Sequence, residues 1–119
     1  MKYRILGRTG LCVSEIGFGA WAIGGNSYGR TDDAESAHAL LAAHEGGVNF
    51  FDTADIYGNG HSEELIGRAL AGKREGVILA SKVGWDFYHG PTRQNFAPEY
   101  LEFACERSLT RLQTDFLDL

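Results

Sequence analysis

The stretch VNFFDTADIYG, residues 48–58, decides the fold. It begins with a short apolar, β-prone run that ends abruptly at a carboxylate, Asp52, as a buried parallel strand does when its carboxyl end opens onto a site. A second strand-like run, VILAS at residues 77–81, ends in the same way at a base, Lys82. Parallel neighbours lie about 4.8 Å apart. We therefore expect the Asp52 carboxylate and the Lys82 ammonium to meet beside Tyr57, in the loop after the first of these strands.

Composition narrows the class of protein. The 119 residues are 44% hydrophobic and 23% charged, as in one ordinary soluble domain. A formal net charge of −5 argues against the broad basic surface that nucleic acid or anionic lipid attracts. No apolar run approaches the roughly 20 residues of a membrane span. We therefore expect no nucleic acid and no membrane as a partner.

The two cysteines, Cys12 and Cys105, lie far apart in the sequence. A chain with this much apolar material needs no disulfide to hold its core. The N-terminus lacks the basic and then apolar pattern of a signal peptide. These features predict reduced thiols and a cytoplasmic location.

Strand and helix signals alternate along the rest of the chain. Two apolar-alternating pieces, residues 2–6 and 11–13, flank a glycine-bounded turn and predict a β-hairpin. Four later segments are expected to be strands of the main sheet: residues 16–20, 48–51, 77–81 and the opening of a fourth at 116–119.

Three helices are predicted between these strands. Asp32 begins the first with a pattern typical of a capping box, and a glycine pair ends it. Ser62 is expected to cap the second helix, and Pro98 to lie in the first turn of the third. The apolar face expected for the third helix comprises Leu101, Ala104, Cys105, Leu109 and Leu112. Residues 84–95 are expected to form a long aromatic-rich loop.

The alternation at about 30 residues per unit predicts a right-handed βαβ series with a parallel sheet. A doubly wound fold would place a phosphate-binding glycine turn directly after the first main strand, and residues 17–22 lack that pattern. A barrel places its active groups at successive strand tips, as Asp52 and Lys82 are placed. These patterns predict an α/β fold with about four strands and three helices after an N-terminal β-hairpin, and the strand-tip placement favours a barrel over a doubly wound sheet.

Three segments resemble the aldo-keto reductase family, and the resemblance covers essentially the whole chain. The first is FDTADIYG with SEELIG after it, at residues 51–58 and 62–67. The second is ASKVG at residues 80–84, and the third is SLTRLQTDFLDL at residues 108–119. The details at residues 58–62 are more similar to microbial aldo/keto reductases and aldose dehydrogenases.

The resemblance implies that the chain is the N-terminal part of a (β/α)8 TIM barrel. Such a barrel binds NADP(H) and transfers hydride between nicotinamide and an aldehyde, ketone or sugar. Its catalytic set would be Asp52, Tyr57 and Lys82, with a histidine at the tip of the fourth strand. The chain ends before that histidine, and a complete barrel needs about 250 residues. The expectation is therefore that residues 1–119 are the N-terminal half of a reductase barrel, an incomplete domain that is not competent alone.

The chemistry explains why these residue types would be needed. Hydride reduction of a carbonyl leaves an alkoxide, so the site requires a general acid within hydrogen-bond reach. A lysine about 4 Å from a phenolate supplies on the order of 4 kcal/mol in a closed site but only about 1 kcal/mol in water. Our hypothesis is that Tyr57 donates the proton, Lys82 stabilises the resulting phenolate, and Asp52 keeps Lys82 charged and oriented.

The binding residues are expected around this set. Trp21, just past the first main strand, is assigned to the cofactor and the substrate, and Asp52 to the cofactor. Tyr57 and Trp85 are expected to contact the substrate, although the loop that carries Trp85 could equally fold onto its own barrel. No metal site is predicted, because no histidine or cysteine completes a ligand set with Asp52 and Asp55.

Each assignment also has a plainer alternative. Asp52 could be a turn carboxylate, Tyr57 a half-buried loop aromatic, and Lys82 an ordinary solvated residue at a strand end. For the whole chain, the alternative is a non-catalytic half-barrel that binds a partner or self-associates through its open sheet edges. A truncated fragment without a function of its own is the third possibility.

Overall fold

The chain begins with an antiparallel hairpin. In the computed structural model, which describes residues 1–119, β1 (Tyr3–Ile5) pairs with β2 (Cys12–Ser14). The side-chain oxygen of Asn49 accepts a hydrogen bond from the backbone of Ser14 at 2.7 Å. The predicted hairpin is therefore confirmed, and it is tied to Asn49, directly before the strand of the main sheet that begins at Phe50.

The main sheet has three parallel strands. β3 (Phe18–Gly19) pairs with β4 (Phe50–Asp52), and β4 pairs with β5 (Ile78–Ala80). The register sets Gly19, Asp52 and Ala80 side by side at the carboxyl ends. The prediction of parallel neighbours is confirmed, with each strand shorter than the run that predicted it.

The fourth strand expected at residues 116–119 is not formed. The segment lies beside β5, and Asp118 N donates to Leu79 O at 3.0 Å. Leu79 N, however, donates to the Asp118 carboxylate at 2.9 Å and so has no backbone acceptor on this segment. A side chain interrupts the ladder, and the structure is an open α/β arrangement without a closed barrel.

Three helices pack side by side on the sheet: α1 (Asp33–Glu45), α2 (His61–Ala69) and α3 (Pro98–Leu112). α1 contacts α2, and α2 contacts α3. Their shared core surrounds Phe51, which is fully buried. Removing such a side chain from water stabilises the fold by about 2 kcal/mol. No helix is both long enough and apolar enough to cross a lipid bilayer.

Two of the predicted helix starts are confirmed. Asp32 Oδ1 accepts a hydrogen bond from Glu35 N at 2.9 Å, which satisfies one of the free amides at the start of α1. Pro98 is the first residue of α3, where its missing N–H leaves no hydrogen bond unmade. α1 ends at Glu45, before the glycine pair.

The prediction that Ser62 caps α2 is wrong. The residue before the helix is Gly60, with a φ of +98° that glycine adopts readily. Ser62 lies inside the helix, and its buried hydroxyl donates to Ala20 O at 2.9 Å and hydrogen-bonds with Thr53 Oγ1 at 2.9 Å. These tertiary hydrogen bonds take the place of the cap and join α2 to the ends of β3 and β4.

The buried face of α3 is rotated from the predicted one. Its buried residues are Tyr100, Ala104, Ser108 and Leu112. Leu101, Cys105 and Leu109 are only half-buried and flank this face. The rotation follows from packing, because α3 presses its small residues against α2 and its tyrosine against the preceding loop. Tyr100 Oη donates to Trp85 O at 2.8 Å.

The loop predicted at residues 84–95 contains a second small hairpin. β6 (Trp85–Asp86) pairs antiparallel with β7 (Arg93–Gln94). The buried Asp86 carboxylate organises the turn, accepting from the backbone N–H groups of Tyr88 and His89 at 3.2 Å each. Strands of two residues are too short to leave a pattern in the sequence. The hairpin fixes the position of Trp85.

Candidate active site

Asp52 and Lys82 meet at the carboxyl end of the sheet, as expected. Lys82 Nζ donates to Asp52 Oδ1 at 2.7 Å and to Thr53 O at 2.8 Å. The lysine side chain is 52% exposed and the aspartate side chain 40%, so water reaches the pair. An ion pair this open contributes at most about 1 kcal/mol to stability. Its main consequence is geometric, because the ammonium has a defined position.

Tyr57 lies beside this ammonium. Lys82 Nζ is 5.3 Å from the centre of the Tyr57 ring, within the range of a cation–π contact. The ring also stacks with Trp21 at a centroid distance of 6.1 Å and an angle of 26° between the ring planes. Tyr28 in turn contacts the Trp21 ring edge-on at 5.3 Å.

A close backbone approach holds Trp21 next to Tyr57. A short 3₁₀ turn, Ala22–Gly24, follows Trp21. Gly58 has a φ of +65°, and a Cβ at this position would lie 2.2 Å from Gly24 O. Only a glycine permits this contact, which brings the loop after β3 against the loop after β4.

Trp85 completes a cleft of ≈ 290 Å³ at this end of the sheet. The residues that line it are Ala54, Asp55, Ile56, Tyr57, Lys82, Val83 and Trp85. Asp52 and Trp21 adjoin the cleft through their contacts with Lys82 and Tyr57. The five residues predicted from the sequence are therefore brought together.

A buried polar network behind the cleft was not anticipated. Glu63 lies in the first turn of α2, where the helix dipole favours an acid, yet it is fully buried. Its Oε2 atom accepts from Arg111 Nε and Nη2 at 2.7 Å each, and its Oε1 atom accepts from Ser81 Oγ at 2.6 Å. The sequence offers no local signal for this pair, since Arg111 is 48 positions away.

Arg111 also reaches the second hairpin. Its Nη1 atom donates to Tyr88 Oη at 2.6 Å. Burial alone would lower the pKa of Arg111, but the Glu63 carboxylate and the hydrogen bonds to Glu63 and Tyr88 raise it above its ordinary value. The guanidinium is therefore charged at every pH at which the protein is folded.

Asp55 is the least satisfied group of this region. Its Oδ2 atom is buried and has no hydrogen-bond partner. Burial, followed by the nearby Glu63 carboxylate, raises the pKa of Asp55 from 3.8 to about 6. The loop that positions Tyr57 therefore contains a carboxyl group that is strained electrostatically when it is ionised.

Two further groups set the environment of the Trp85 hairpin. Burial, then the Asp55 and Asp86 carboxylates, raise the pKa of Tyr100 to about 12, so its hydroxyl keeps the proton that it donates to Trp85 O. Burial of Asp86 tends to raise its pKa, but hydrogen bonds from Asn95 and His89 lower it below the ordinary value. This carboxylate is therefore ionised as it organises the turn.

No group of three or more histidine, cysteine, aspartate or glutamate side chains is arranged to hold a metal ion. The cleft presents a phenol that contacts both an indole and an ammonium, and the ammonium is hydrogen-bonded to a carboxylate. Such a set can donate a proton to a negative oxygen that develops in the cleft.

Comparisons with known proteins agree with this arrangement. The model of the Aldo/keto reductase family matches residues 15–119. Aldo-keto reductase YhdN of Bacillus subtilis is 41% identical over 121 residues, which include 100% of this chain and 37% of the relative. The chain thus spans about a third of the length of such relatives.

Solved structures give the same answer. The holo form of aldo-keto reductase AKR11C1 from Bacillus halodurans is 39% identical, with a TM-score of 0.88 over 98% of this chain and 38% of that one. An aldo-keto reductase from Klebsiella pneumoniae in complex with NADPH is 35% identical, with a TM-score of 0.72 over 91% of this chain and 34% of that one. This chain belongs to the aldo/keto reductase family.

Proposed function

We propose that residues 1–119 form the N-terminal part of an NADP(H)-dependent aldo-keto reductase barrel and carry its proton-donating residues. The reaction is hydride transfer between nicotinamide and an aldehyde, ketone or sugar. The observation that carries the proposal is the position of Lys82 Nζ, 2.7 Å from Asp52 Oδ1 and 5.3 Å from the Tyr57 ring centre. Family membership supports it.

Tyr57 is the proposed general acid and base. In the reductive direction it gives its phenolic proton to the carbonyl oxygen as that oxygen gains negative charge. Lys82 favours this transfer, because its charge stabilises the phenolate that remains. Asp52 and Thr53 O hold the ammonium on the correct side of the ring.

Closure of the cleft determines how strongly Lys82 acts. The lysine is half exposed, and at a separation of about 4 Å two charges interact by about 1 kcal/mol in water against about 4 kcal/mol in a partly excluded site. We propose that bound cofactor and substrate, with the rest of a barrel, exclude this water.

The donor set fits the reacting end of a nicotinamide cofactor. Trp21 offers an exposed aromatic surface beside Tyr57, and Asp52 offers a carboxylate acceptor at the strand tip. Lys82 is the single cation among the residues that line the cleft, so the cleft provides no second charge for a diphosphate. When bound, the cofactor supplies the hydride; Trp21 and Asp52 are proposed to contact it.

Aromatic walls point to the kind of substrate. Trp21, Tyr57 and Trp85 border the cleft or adjoin it, and both indoles are about half exposed. Aromatic faces pack well against apolar chains and against the C–H faces of sugars. We propose that these three residues contact a small carbonyl compound or sugar.

The proposed location is the cytoplasm. Cys12 and Cys105 are both free, and Cys12 is exposed. An exposed thiol persists where the compartment is reducing.

Self-association is the second candidate. β3 pairs with β4 alone, so its outer edge has free backbone groups. Ile16, just before this strand, is 65% exposed. An edge of this kind is a template for another chain. Analytical ultracentrifugation tests it: a dimer that Ile16→Lys dissociates supports association through this edge, and a monomer at all concentrations excludes it.

The decisive experiment is a titration of NADPH fluorescence with the purified protein. Saturable binding is expected, and Lys82→Ala should weaken it. The matched control is Lys73→Ala, which removes an exposed lysine from the turn before β5, away from the cleft. If the wild-type protein does not bind NADPH, residues 1–119 carry the proposed catalytic residues without the cofactor grip, and the proposed reduction belongs only to a longer chain. If both alanine variants bind equally, Lys82 makes no contribution to cofactor binding.

A further inference from the structure

Lys82 and Trp85 lie on one short segment, residues 81–88. Both ends of this segment are hydrogen-bonded to the buried ion pair of Glu63 and Arg111. At the first end, Ser81 Oγ donates to Glu63 Oε1 at 2.6 Å. At the other end, Arg111 Nη1 donates to Tyr88 Oη at 2.6 Å.

The two anchors are directly connected. Glu63 Oε2 accepts from Arg111 Nε and Nη2 at 2.7 Å each. α2 supplies the acid and α3 the base, and these helices pack closely. The helix pair therefore contributes to the separation between Ser81 and Tyr88, in addition to β5 at one end and the second hairpin at the other.

The segment needs such anchors because it contains a flexible joint. Gly84, between Lys82 and Trp85, has a φ of +124°. That conformation is open to glycine and strained for other residues, and glycine also reaches many alternatives. Asn95 N donates to Gly84 O at 2.9 Å, and fixed ends further restrict how Lys82 and Trp85 move relative to each other about Gly84.

The burial of the ion pair indicates a role other than stability. The Glu63 side chain is 0% exposed and that of Arg111 is 12% exposed. The free-energy cost of removing two charges from water is about as large as the gain from their attraction. Apolar residues of similar size often stabilise a fold equally well or better. What an apolar pair cannot provide is directional hydrogen bonds to Ser81 and Tyr88.

We propose that Glu63 and Arg111 are positioning residues that hold Lys82 and Trp85 at a fixed separation across the cleft. The proposal rests on the proposed function for the meaning of that separation, since Lys82 acts on Tyr57 and Trp85 contacts the substrate. Neither Glu63 nor Arg111 touches the substrate in this arrangement.

The test removes one anchor at a time and leaves the ion pair intact. Ser81→Ala deletes the hydroxyl that reaches Glu63, and Tyr88→Phe deletes the hydroxyl that reaches Arg111. Each has a matched control elsewhere in the chain. Ser36→Ala deletes a hydroxyl bonded to Asp32 O, and Tyr3→Phe deletes one bonded to Gly47 O.

The first readout is the acetylation rate of Lys82 with acetic anhydride, measured by mass spectrometry. The only other lysines, Lys2 and Lys73, are exposed and serve as internal references. Ser81→Ala should raise the rate at Lys82 severalfold relative to the references, because the loss of a hydrogen bond to a charged group frees the segment. Ser81→Thr retains a hydroxyl and should restore the wild-type rate.

The second readout is iodide quenching of Trp85 fluorescence in a Trp21→Phe background, where Trp85 is the single tryptophan. Tyr88→Phe should increase the quenching constant and shift the emission to the red. The proposal is overturned if each anchor variant changes its readout no more than its control does at equal stability in urea.

These readouts need neither cofactor nor turnover. Failure to bind NADPH would therefore limit the proposed function to a longer chain and leave the positioning result intact. Unchanged Lys82 and Trp85 in an NADPH-binding protein would contradict only the positioning role of Glu63 and Arg111.

Discussion

Lys82 Nζ lies 2.7 Å from Asp52 Oδ1, although the two residues are 30 positions apart in the sequence. The parallel register of β4 and β5 produces this contact by setting Asp52 beside Ala80, two residues before the lysine. Tyr57, in the loop after β4, contacts the same ammonium with its ring. The proposed chemistry follows from this arrangement and can be tested residue by residue.

Tyr57→Phe should abolish the proposed proton transfer. In a complete barrel that contains these residues, we expect kcat for NADPH-dependent reduction of a carbonyl such as 4-nitrobenzaldehyde to fall by about 10²- to 10⁴-fold, the usual contribution of a general acid. The aromatic ring remains, so the KM for the carbonyl should change little. Steady-state kinetics by NADPH absorbance checks both constants.

The control for this variant is Tyr28→Phe. Tyr28 also contacts Trp21 but is 68% exposed and lies outside the cleft. Its loss should leave kcat unchanged. A Tyr57→Phe protein with wild-type kcat would assign the proton to another group.

The meeting of Asp52 and Lys82 could be predicted because it depends on local patterns. Each strand ends where its apolar run ends, and parallel strands bring their ends together. The pairing of Glu63 with Arg111 could not be predicted, because it depends on how α2 packs on α3. A glutamate in the first turn of a helix is equally typical of an exposed site. Long-range packing therefore supplied what local patterns could not.

The error at Ser62 has a similar origin. A serine near the start of a helix can cap the helix or make a tertiary hydrogen bond, and the sequence does not distinguish these roles. In the structure, Ser62 makes the tertiary hydrogen bond, to Ala20 O. The hairpin at Trp85 was missed because the charge that organises it, Asp86, resembles any loop carboxylate in sequence. Both cases concern polar groups whose partners lie in other elements.

Asp55→Asn should stabilise the protein at neutral pH. The folded state holds the Asp55 proton more tightly than the unfolded chain, with a pKa of about 6 against an ordinary 3.8. Stability is therefore lost as the pH rises through this interval, and the ionised group costs the folded state about 3 kcal/mol at pH 7. The neutral amide avoids most of this cost.

Urea unfolding as a function of pH checks this prediction. The gain from Asp55→Asn should be largest above pH 6 and shrink as the pH approaches 3.8. Asp115→Asn, at an exposed position, is the control and should show no such dependence. A gain that is constant with pH would exclude the titration of Asp55 as its cause.

Arg74→Met should loosen the segment that lies beside β5. Arg74 donates to Phe116 O at 3.1 Å and to Asp118 Oδ2 at 2.7 Å, and the same carboxylate oxygen accepts from Leu79 N. Without the guanidinium, the carboxylate loses the charge that holds it in place. Hydrogen exchange at Leu79 N should accelerate.

The comparison for this variant is Arg68→Met, whose guanidinium makes only a 3.7 Å surface contact with Asp33. Exchange at Leu79 N should be unchanged there. Equal protection in Arg74→Met and the wild type would show that the backbone hydrogen bonds of Asp118 and Leu119 suffice to hold the segment.

Gly67→Ala tests the close packing of α2 on α3 that brings Glu63 to Arg111. A Cβ at position 67 would lie 2.3 Å from Arg111 O and 2.9 Å from the carbonyl carbon of Leu112, both backbone atoms that cannot turn aside. Alanine favours a helix over glycine by about 1 kcal/mol, whereas overpacking a close contact costs about 1–3 kcal/mol and more when backbone must move. The cost of the clash should exceed the gain in helix propensity, so we expect a net loss of stability in urea and a greater exposure of the Glu63–Arg111 pair.

Gly76→Ala is the matched control, because its Cβ would meet only His44 at 3.8 Å, an ordinary contact. If Gly67→Ala proved as stable as Gly76→Ala, α2 and α3 could separate without loss of stability. The spacing of these helices would then not determine the positions of Ser81 and Tyr88.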